Sequence, residues 1–206
     1  MKVLVLEVGY IGTNCYLAVN EEQKAAVLID PGGDADKILE IVTQHAIKIE
    51  AIFLTHGHSD HIMALDEIRQ ATGAKVYISE DDAEMLVKAN SNLSSYMGAG
   101  RQFKPADEFY RDGQTLKAAG LSFKVLATPG HTRGGVCLVC EDIVFCGDTI
   151  FSESIGRTDL PGGSYPQLLD SIKTKILTLP DDMKLLPGHG PATTVGWERR
   201  RNPFLQ

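Results

Sequence analysis

Apolar and polar positions form short runs along the chain, and the period of these runs changes between two and about 3.6 residues. Three β-branched apolar runs at residues 2–8, 14–18 and 25–30 are separated by turn-forming residues. This pattern predicts an antiparallel β-meander. Apolar residues at helical spacing follow, with Asp34 ahead of them as a candidate N-cap, so we expect a helix over residues 35–46.

The rest of the pattern continues this succession of strands and helices. A buried strand at residues 51–54 leads into a helix near 62–71, for which Ser59 is a possible cap. The further predicted elements are a strand at 75–78, a helix at 80–88, strands at 115–118, 121–127, 135–140 and 142–146, a helix at 165–178, a strand at 184–186 and a helical segment at 192–200. Two comparable halves of this kind predict sheets sandwiched between helices.

The long segment at residues 90–107 lacks clear periodicity and contains Gly98, Gly100 and Pro105. We interpret it as a loop with short helical turns, and a loop of this length is expected to border a functional site. Nothing between the two halves has the composition of a linker. The pattern therefore predicts a single domain over residues 1–206.

Composition and charge restrict the classes of partner. The formal net charge of −7 argues against a nucleic-acid surface, and the only basic run, Arg199 to Arg201, reads as a solvated helix face. Glu7 interrupts the first apolar run before the core of a signal peptide could form, and no apolar stretch approaches the roughly 20 residues of a membrane-spanning helix. We expect a cytoplasmic protein that acts on small molecules, without nucleic-acid or membrane partners and with an oligomeric state left open.

Four cysteines, of which Cys137 and Cys140 form a C-x-x-C motif, raise the question of a redox or metal site. In the strand predicted at residues 135–140, positions three apart point to opposite faces, so the two sulfur atoms cannot easily meet one ion. All four cysteines lie in apolar, strand-like surroundings. We therefore expect buried free thiols.

A dense group of histidine and aspartate residues follows the strand at 51–54. In an extended segment His56, His58 and Asp60 share one face, whereas His61 departs from it and can serve a second ion. Imidazole and carboxylate without thiolate suit Zn²⁺, Fe²⁺ or Mn²⁺. A single loop histidine usually bonds to a carbonyl group, but four potential ligands at this spacing favour a metal site.

The segment from Thr55 to His61 reads T-H-x-H-x-D-H and resembles the signature of the metallo-β-lactamase superfamily. Later motifs around His131, Asp148 and His189 match that superfamily in order, and Asp30 matches an aspartate that ends an early strand. The resemblance covers nearly the whole chain. It implies an α/β fold of the αββα sandwich type, in which two mixed sheets are flanked by helices.

The resemblance also implies a ligand set for two divalent metal ions per chain, with zinc expected and iron or manganese as alternatives. The implied ligands are His56, His58 and His131 for the first ion, Asp60, His61 and His189 for the second, and Asp148 as the bridge. Asp30 resembles a residue that anchors a ligating imidazole, an arrangement that such ligands need. A turn-forming role before Pro31-Gly32 is equally consistent with the sequence at Asp30.

The stretch from Phe151 to Ser164 resembles small bacterial hydrolases similar to glyoxalase II, the hydroxyacylglutathione hydrolases. That resemblance implies hydrolysis of a small-molecule thioester by a metal-bridging hydroxide, oriented by Asp60 or Asp148 as catalytic residues. The full-length enzymes carry a helical carboxy-terminal domain that contributes to glutathione binding, and this chain ends too soon after His189 to hold one. The acyl group and the thiol carrier therefore stay open.

Other activities remain as alternatives. Gly156 to Asp159 also matches persulfide dioxygenases, which use one iron, and a hydrolase of another small ester or thioester is a further alternative. β-Lactam hydrolysis is disfavoured by the absence of a secretory signal and of a cysteine ligand. A binding module without catalysis is disfavoured by the complete ligand set.

Arg157 either pairs with Asp159 across a turn or faces an anionic substrate group. No role is assigned to Thr132 or Arg133.

Overall fold

The first sheet is built from the short β-branched runs of the amino-terminal half. A computed structural model describes residues 1–98 and 100–206; residue 99, within the predicted 90–107 loop, lies outside the described residues. The strands of the first sheet lie in chain order: β1 (Lys2–Val8), β2 (Thr13–Asn20), β3 (Ala25–Ile29), β4 (Lys48–Phe53), β5 (Lys75–Ser79) and β6 (Glu108–Tyr110). Strands β1 to β3 form the predicted antiparallel meander, whereas β3 to β6 are parallel because longer connections cross over between them.

Helices in these connections cover one face of the first sheet: α1 (Ala35–Gln44), α2 (Ser59–Ile62), α3 (Leu65–Thr72) and α4 (Ala83–Val87). The helix predicted at 62–71 is present as α3, but it begins at Leu65 and is separate from α2. The chain breaks it before Leu65, where the Ala64 N–H donates to the Pro31 carbonyl at 2.9 Å. No helix within residues 1–98 and 100–206 is long and apolar enough to cross a membrane.

Neither predicted helix cap has the expected contact. Asp34 precedes α1 with a left-handed φ of 51°, and its carboxylate accepts from the Gly9 N–H at 3.0 Å instead of capping the helix. Ser59 is the first residue of α2, and its N–H donates to the Asn92 carbonyl at 2.8 Å. Contacts with distant loops therefore replace the local caps.

The second sheet and a small hairpin come from the carboxy-terminal half. The remaining elements are β7 (Thr115–Ala118), β8 (Leu121–Ala127), β9 (Val136–Cys140), β10 (Ile143–Gly147), β11 (Ile150–Phe151), β12 (Ser154–Ile155), α5 (Tyr165–Ser171), β13 (Lys184–Pro187), β14 (Thr193–Thr194) and α6 (Val195–Arg201). The sheet order is β14-β13-β10-β9-β8-β7, and β10 and β13 are its parallel pair. Strands β11 and β12 form a separate hairpin, and α5 continues as a π-helical turn to Ile176.

The two mixed sheets pack face to face, with helices on both outer faces. Phe53 of the first sheet meets Phe123 of the second edge to face, with ring centroids 5.2 Å apart. The predicted αββα sandwich is confirmed. Cys137 packs on the helix side of β9 and Cys140 on the inter-sheet side, and all four cysteines are buried and free, as the spacing predicted.

Candidate metal centre

The predicted site residues gather at one edge of the sandwich, just beyond the carboxyl ends of strands. The parallel pair β3 and β4 places Asp30 beside Thr55, and the parallel pair β10 and β13 places the turn of Asp148 beside that of His189. The turn between β8 and β9 supplies His131. All seven predicted ligands therefore meet in one cluster, although they are separated by up to 133 positions in the chain.

One group of donors contains His56, His58 and His131, which are all buried. Their candidate ligand atoms lie within 4.8 Å of one another. Nδ1 of His58 and Nε2 of His131 face each other at 2.9 Å. Because the other nitrogen of His131 is 2.8 Å from the Arg157 carbonyl oxygen and donates to it, Nε2 is left with its lone pair directed into the group.

A second group contains Asp60, His61 and His189. Oδ2 of Asp60 lies 3.1 Å from Nε2 of His189 and 3.4 Å from Nε2 of His61. Asp148 stands between the two groups. Its Oδ1 lies 3.3 Å from Nε2 of His61, and its Oδ2 lies 3.5 Å from Nε2 of His131. The two oxygen atoms of one carboxylate thus face both groups.

The donor set fits divalent metal ions. Several of its polar atoms are buried without a hydrogen-bond partner among the described residues: Nε2 of His56, Nε2 of His58, Nε2 of His61 and Oδ1 of Asp148. Buried polar groups left unpaired in this way each cost about 1–3 kcal/mol. Imidazole nitrogen and carboxylate oxygen are ligands of Zn²⁺, Fe²⁺ and Mn²⁺. Cations in the cluster would satisfy Nε2 of His56, Nε2 of His61 and Oδ1 of Asp148, whereas His58 turns its Nδ1 towards the first group.

The electrostatics of the cluster favour neutral imidazoles at His56 and His58 and positive charge at His61. Burial and neighbouring imidazoles lower the pKa of His58 to about 3 and hold the pKa of His56 well below its ordinary value. Burial also opposes protonation of His61, but the carboxylates of Asp60 and Asp148 outweigh it and raise the pKa of His61 well above its ordinary value. Positive charge, from a proton or a metal ion, is therefore stabilised beside His61.

Residues 8–189 match the family model of the metallo-beta-lactamase superfamily. The chain belongs to this superfamily of metallo-hydrolases. It is 35% identical to "Hydroxyacylglutathione hydrolase GloC" of Haemophilus influenzae over 209 residues, which cover 100% of this chain and 98% of the relative. Among solved structures it is similar to BLEG-1 B3 metallo-beta-lactamase, with a TM-score of 0.96 and 39% identity over 100% of both chains. The di-iron-bound form of TTHA1623 has a TM-score of 0.87 and 34% identity over 98% of this chain and 100% of its own.

Asp30 lies in a turn, and its carboxylate faces a predicted metal ligand. It occupies a turn with a φ of 52°, and its carbonyl accepts from the Gly32 N–H at 2.8 Å. Its buried carboxylate accepts from the N–H of Thr55 at 2.8 Å and from the Thr55 hydroxyl at 2.6 Å. The same carboxylate lies 2.9 Å from Nδ1 of His61, so it orients this ring from behind.

Arg157 pairs with Asp159, as one of its two interpretations predicted. Nε and Nη2 of Arg157 donate to the two carboxylate oxygens of Asp159, each at 2.8 Å, and both side chains are exposed. The carbonyl oxygen of Arg157 accepts from Nδ1 of His131, a backbone role that no pattern in the sequence indicates.

Two residues that sequence reasoning missed fix the turn before His189. The Tyr16 hydroxyl donates to the Pro187 carbonyl at 2.6 Å, and the Asn14 amide donates to the carbonyls of Pro187 and Gly190 at 3.0 and 2.8 Å. Both residues lie on β2 of the opposite sheet. No local motif marks them, because the contact depends on how the two sheets pack.

A cavity of about 610 Å³ opens directly onto the cluster and is lined by His58, Asp60, His131, Asp148 and His189. Its other walls are largely apolar, formed by Ile11, Leu93, Tyr96, Met97, Phe151, Ile155, Leu160 and Pro161, with Arg157 as a charged lining residue. The expectation that the segment at 90–107 borders the site is therefore met by residues 93, 96 and 97. The cavity gives a small molecule access to the donor atoms.

Proposed function

We propose that this protein is a metal-dependent hydrolase of small thioesters, similar to glyoxalase II. The observation that carries the proposal is the pair of donor groups that face the two oxygen atoms of Asp148 at the floor of an open cavity. The 35% identity to GloC over the full chain supports the thioester class. The single domain and the cytoplasmic location expected from the sequence stay predictions.

In this proposal His56, His58 and His131 hold one divalent ion, Asp60, His61 and His189 hold a second, and Asp148 bridges them. The ions, zinc or else iron or manganese, would when bound lower the pKa of a water molecule towards neutrality and polarise the thioester carbonyl. The similarity to a di-iron-bound structure supports two metal ions per chain and iron as an alternative to zinc.

The residues of the chain position the reactants. Asp60 is held by His189 and by the Thr13 hydroxyl, which lies 3.4 Å from its Oδ2, so its carboxylate is fixed at the cavity floor. Either Asp60 or Asp148 accepts a hydrogen bond from the attacking water and orients it. The thiolate that leaves needs little protonation, so the proposed reaction requires no general acid.

The cavity wall indicates which part of the substrate is recognised. Its apolar side chains suit an acyl group, whereas Arg157 is already paired with Asp159. A carboxylate of glutathione would have to share the Arg157 guanidinium with Asp159, which already takes up Nε and Nη2. We therefore expect a high KM for glutathione thioesters or tolerance of other thiols.

Two other activities compete with this proposal. β-Lactam hydrolysis, disfavoured by the sequence, is favoured by the 39% identity to a B3 metallo-β-lactamase over the full chain. A mononuclear iron persulfide dioxygenase would need only one ion beside His56, His58 and Asp148. The second group of Asp60, His61 and His189 favours the two-ion hydrolase over the dioxygenase.

The test is anaerobic hydrolysis by zinc-loaded protein of S-lactoylglutathione and of a panel of other acyl thioesters, with thiol release as the readout. We expect release without oxygen, because a water molecule supplies the nucleophile. His58→Asn should abolish thiol release. His45→Asn should leave it unchanged, because His45 is exposed at the end of α1 and is the one histidine outside the proposed ligand set. Oxygen uptake with glutathione persulfide, or cleavage of a chromogenic cephalosporin, together with no thiol release from any thioester would contradict the proposal.

A further inference from the structure

Asp82 is a buried carboxylate outside the ligand set, with only 1% of its surface exposed. It ends the 3₁₀ turn Glu80–Asp82 between β5 and α4. Its Oδ1 accepts from the Gly134 N–H and its Oδ2 from the Thr132 hydroxyl, each at 2.7 Å. Burial raises the pKa of Asp82, and the hydrogen bonds from Thr132, Gly134 and the backbone N–H of Gly57 oppose that rise.

The partners of Asp82 come from both sheets. Gly57 lies between His56 and His58 in the turn after β4, which is in the first sheet. Thr132 and Gly134 follow His131 in the turn between β8 and β9, which are in the second sheet. A single carboxylate thus contacts the two turns whose histidines form the first donor group.

The close packing of both turns against the segment 82–85 supports a fixed arrangement. A Cβ atom on Gly134 would lie 2.7 Å from the Asp82 backbone nitrogen, and one on Gly57 would lie 2.6 Å from Cβ of Met85. Contacts this short leave no room for a side chain at either position. Both turns therefore pack directly against the same segment.

We propose that Asp82 is a positioning residue that fixes the spacing between His58 and His131 across the two sheets. The nitrogens of these two rings are 2.9 Å apart, although the rings belong to turns of different sheets. Groups that orient metal ligands without touching the metal commonly contribute about 10–100-fold to metal affinity. The inference rests on the metal centre of the proposed function and not on its substrate.

The test measures zinc affinity by competition with a chromophoric chelator, so it does not depend on catalysis. In Asp82→Asn the amide group can no longer accept both hydrogen bonds, and Thr132→Val removes the hydroxyl donor alone. We expect one of the two zinc equivalents to weaken by about 10–100-fold in both variants. The other equivalent should weaken less, because Asp148 is the only ligand that the two proposed sites share. Thr132→Ser, which keeps the hydroxyl, should restore the affinity.

Glu198→Gln is the matched control. Glu198 is also fully buried and accepts from the Glu153 N–H, the Thr193 hydroxyl and the Asn202 amide, but none of these donors neighbours a proposed ligand. We expect it to lower the melting temperature and leave both zinc affinities unchanged. If Asp82→Asn fails to fold, the zinc affinity of Thr132→Val still tests the proposal. Wild-type zinc affinity in Thr132→Val would overturn the proposal. So would a loss of affinity that is equal for both zinc equivalents and equal in Thr132→Val and Glu198→Gln.

Discussion

Asp30 shows how one residue determines the orientation of a ligand without being a ligand. Its carboxylate accepts two hydrogen bonds from Thr55 and faces Nδ1 of His61 at 2.9 Å. An asparagine at this position would offer only one acceptor oxygen. The left-handed φ of 52° suits asparagine as well as aspartate, so the substitution tests the carboxylate without disturbing the backbone.

We predict that Asp30→Asn weakens the metal site that contains His61 by about 10–100-fold, because the ring loses its anionic partner. Chelator competition and metal analysis after gel filtration would measure the effect. Asp34→Asn is the matched control, since Asp34 has a φ of 51° and is exposed. Equal metal affinity in the two variants would show that Asp30 has only the role of a turn residue.

At this scale the sequence predicted residues whose chemistry is local and missed those that act at a distance. His56, His58 and His61 were found because their spacing is itself a signal. Tyr16 and Asp82 carry no such spacing: the partner of Tyr16 lies 171 positions away, and those of Asp82 lie 25 to 52 positions away. Only the packing of the two sheets makes these contacts visible.

Among the elements, the hairpin of β11 and β12 forms a wall of the cavity and is held by α6. Its Phe151 ring lies 6.2 Å from that of His189. Glu198 of α6 accepts from the Glu153 N–H at 2.9 Å, and Asn202 donates to the Ser154 carbonyl at 2.9 Å. The buried Glu198 therefore fixes the hairpin in place.

We predict that Glu198→Gln destabilises the fold by about 1–3 kcal/mol, because an amide cannot accept all three hydrogen bonds. The looser hairpin should also raise the KM for a thioester more than it lowers kcat. Thermal melting and steady-state kinetics would measure both effects. The control is Glu153→Gln at an exposed position of the same hairpin, for which a change within about 0.5 kcal/mol is expected. A wild-type KM in Glu198→Gln would show that α6 does not support the cavity wall.

Element boundaries were predictable where the apolar pattern is long. They were not predictable where contacts between elements determine where a strand or helix begins and ends. The meander of β1 to β3 follows directly from its alternation. The hairpin of β11 and β12 was missed because each strand has two residues, too few to show a period. The parallel pairing of β10 with β13 was not predictable, since the intervening hairpin and α5 set no strand order by themselves.

For the whole molecule, the burial of unpaired metal-ligand atoms couples metal binding to stability. A metal ion that binds only the folded chain stabilises it by about 2.7 kcal/mol at a concentration 100 times its Kd. For a protein of this size we predict that zinc raises Tm by about 5–10 °C over metal-free protein. Calorimetry with and without zinc would measure the shift, and His58→Asn should reduce it. An unchanged Tm would contradict the coupling.

In the proposed function, hydrolysis depends on two metal ions that share the Asp148 carboxylate. The most direct test adds zinc stepwise to metal-free protein under argon and records thiol release from a thioester at each step. We predict that the rate keeps rising until two equivalents per chain are bound, and that Asp148→Asn, which lacks the bridging charge, loses this behaviour. A rate that reaches its maximum at one equivalent and persists in Asp148→Asn would contradict the account.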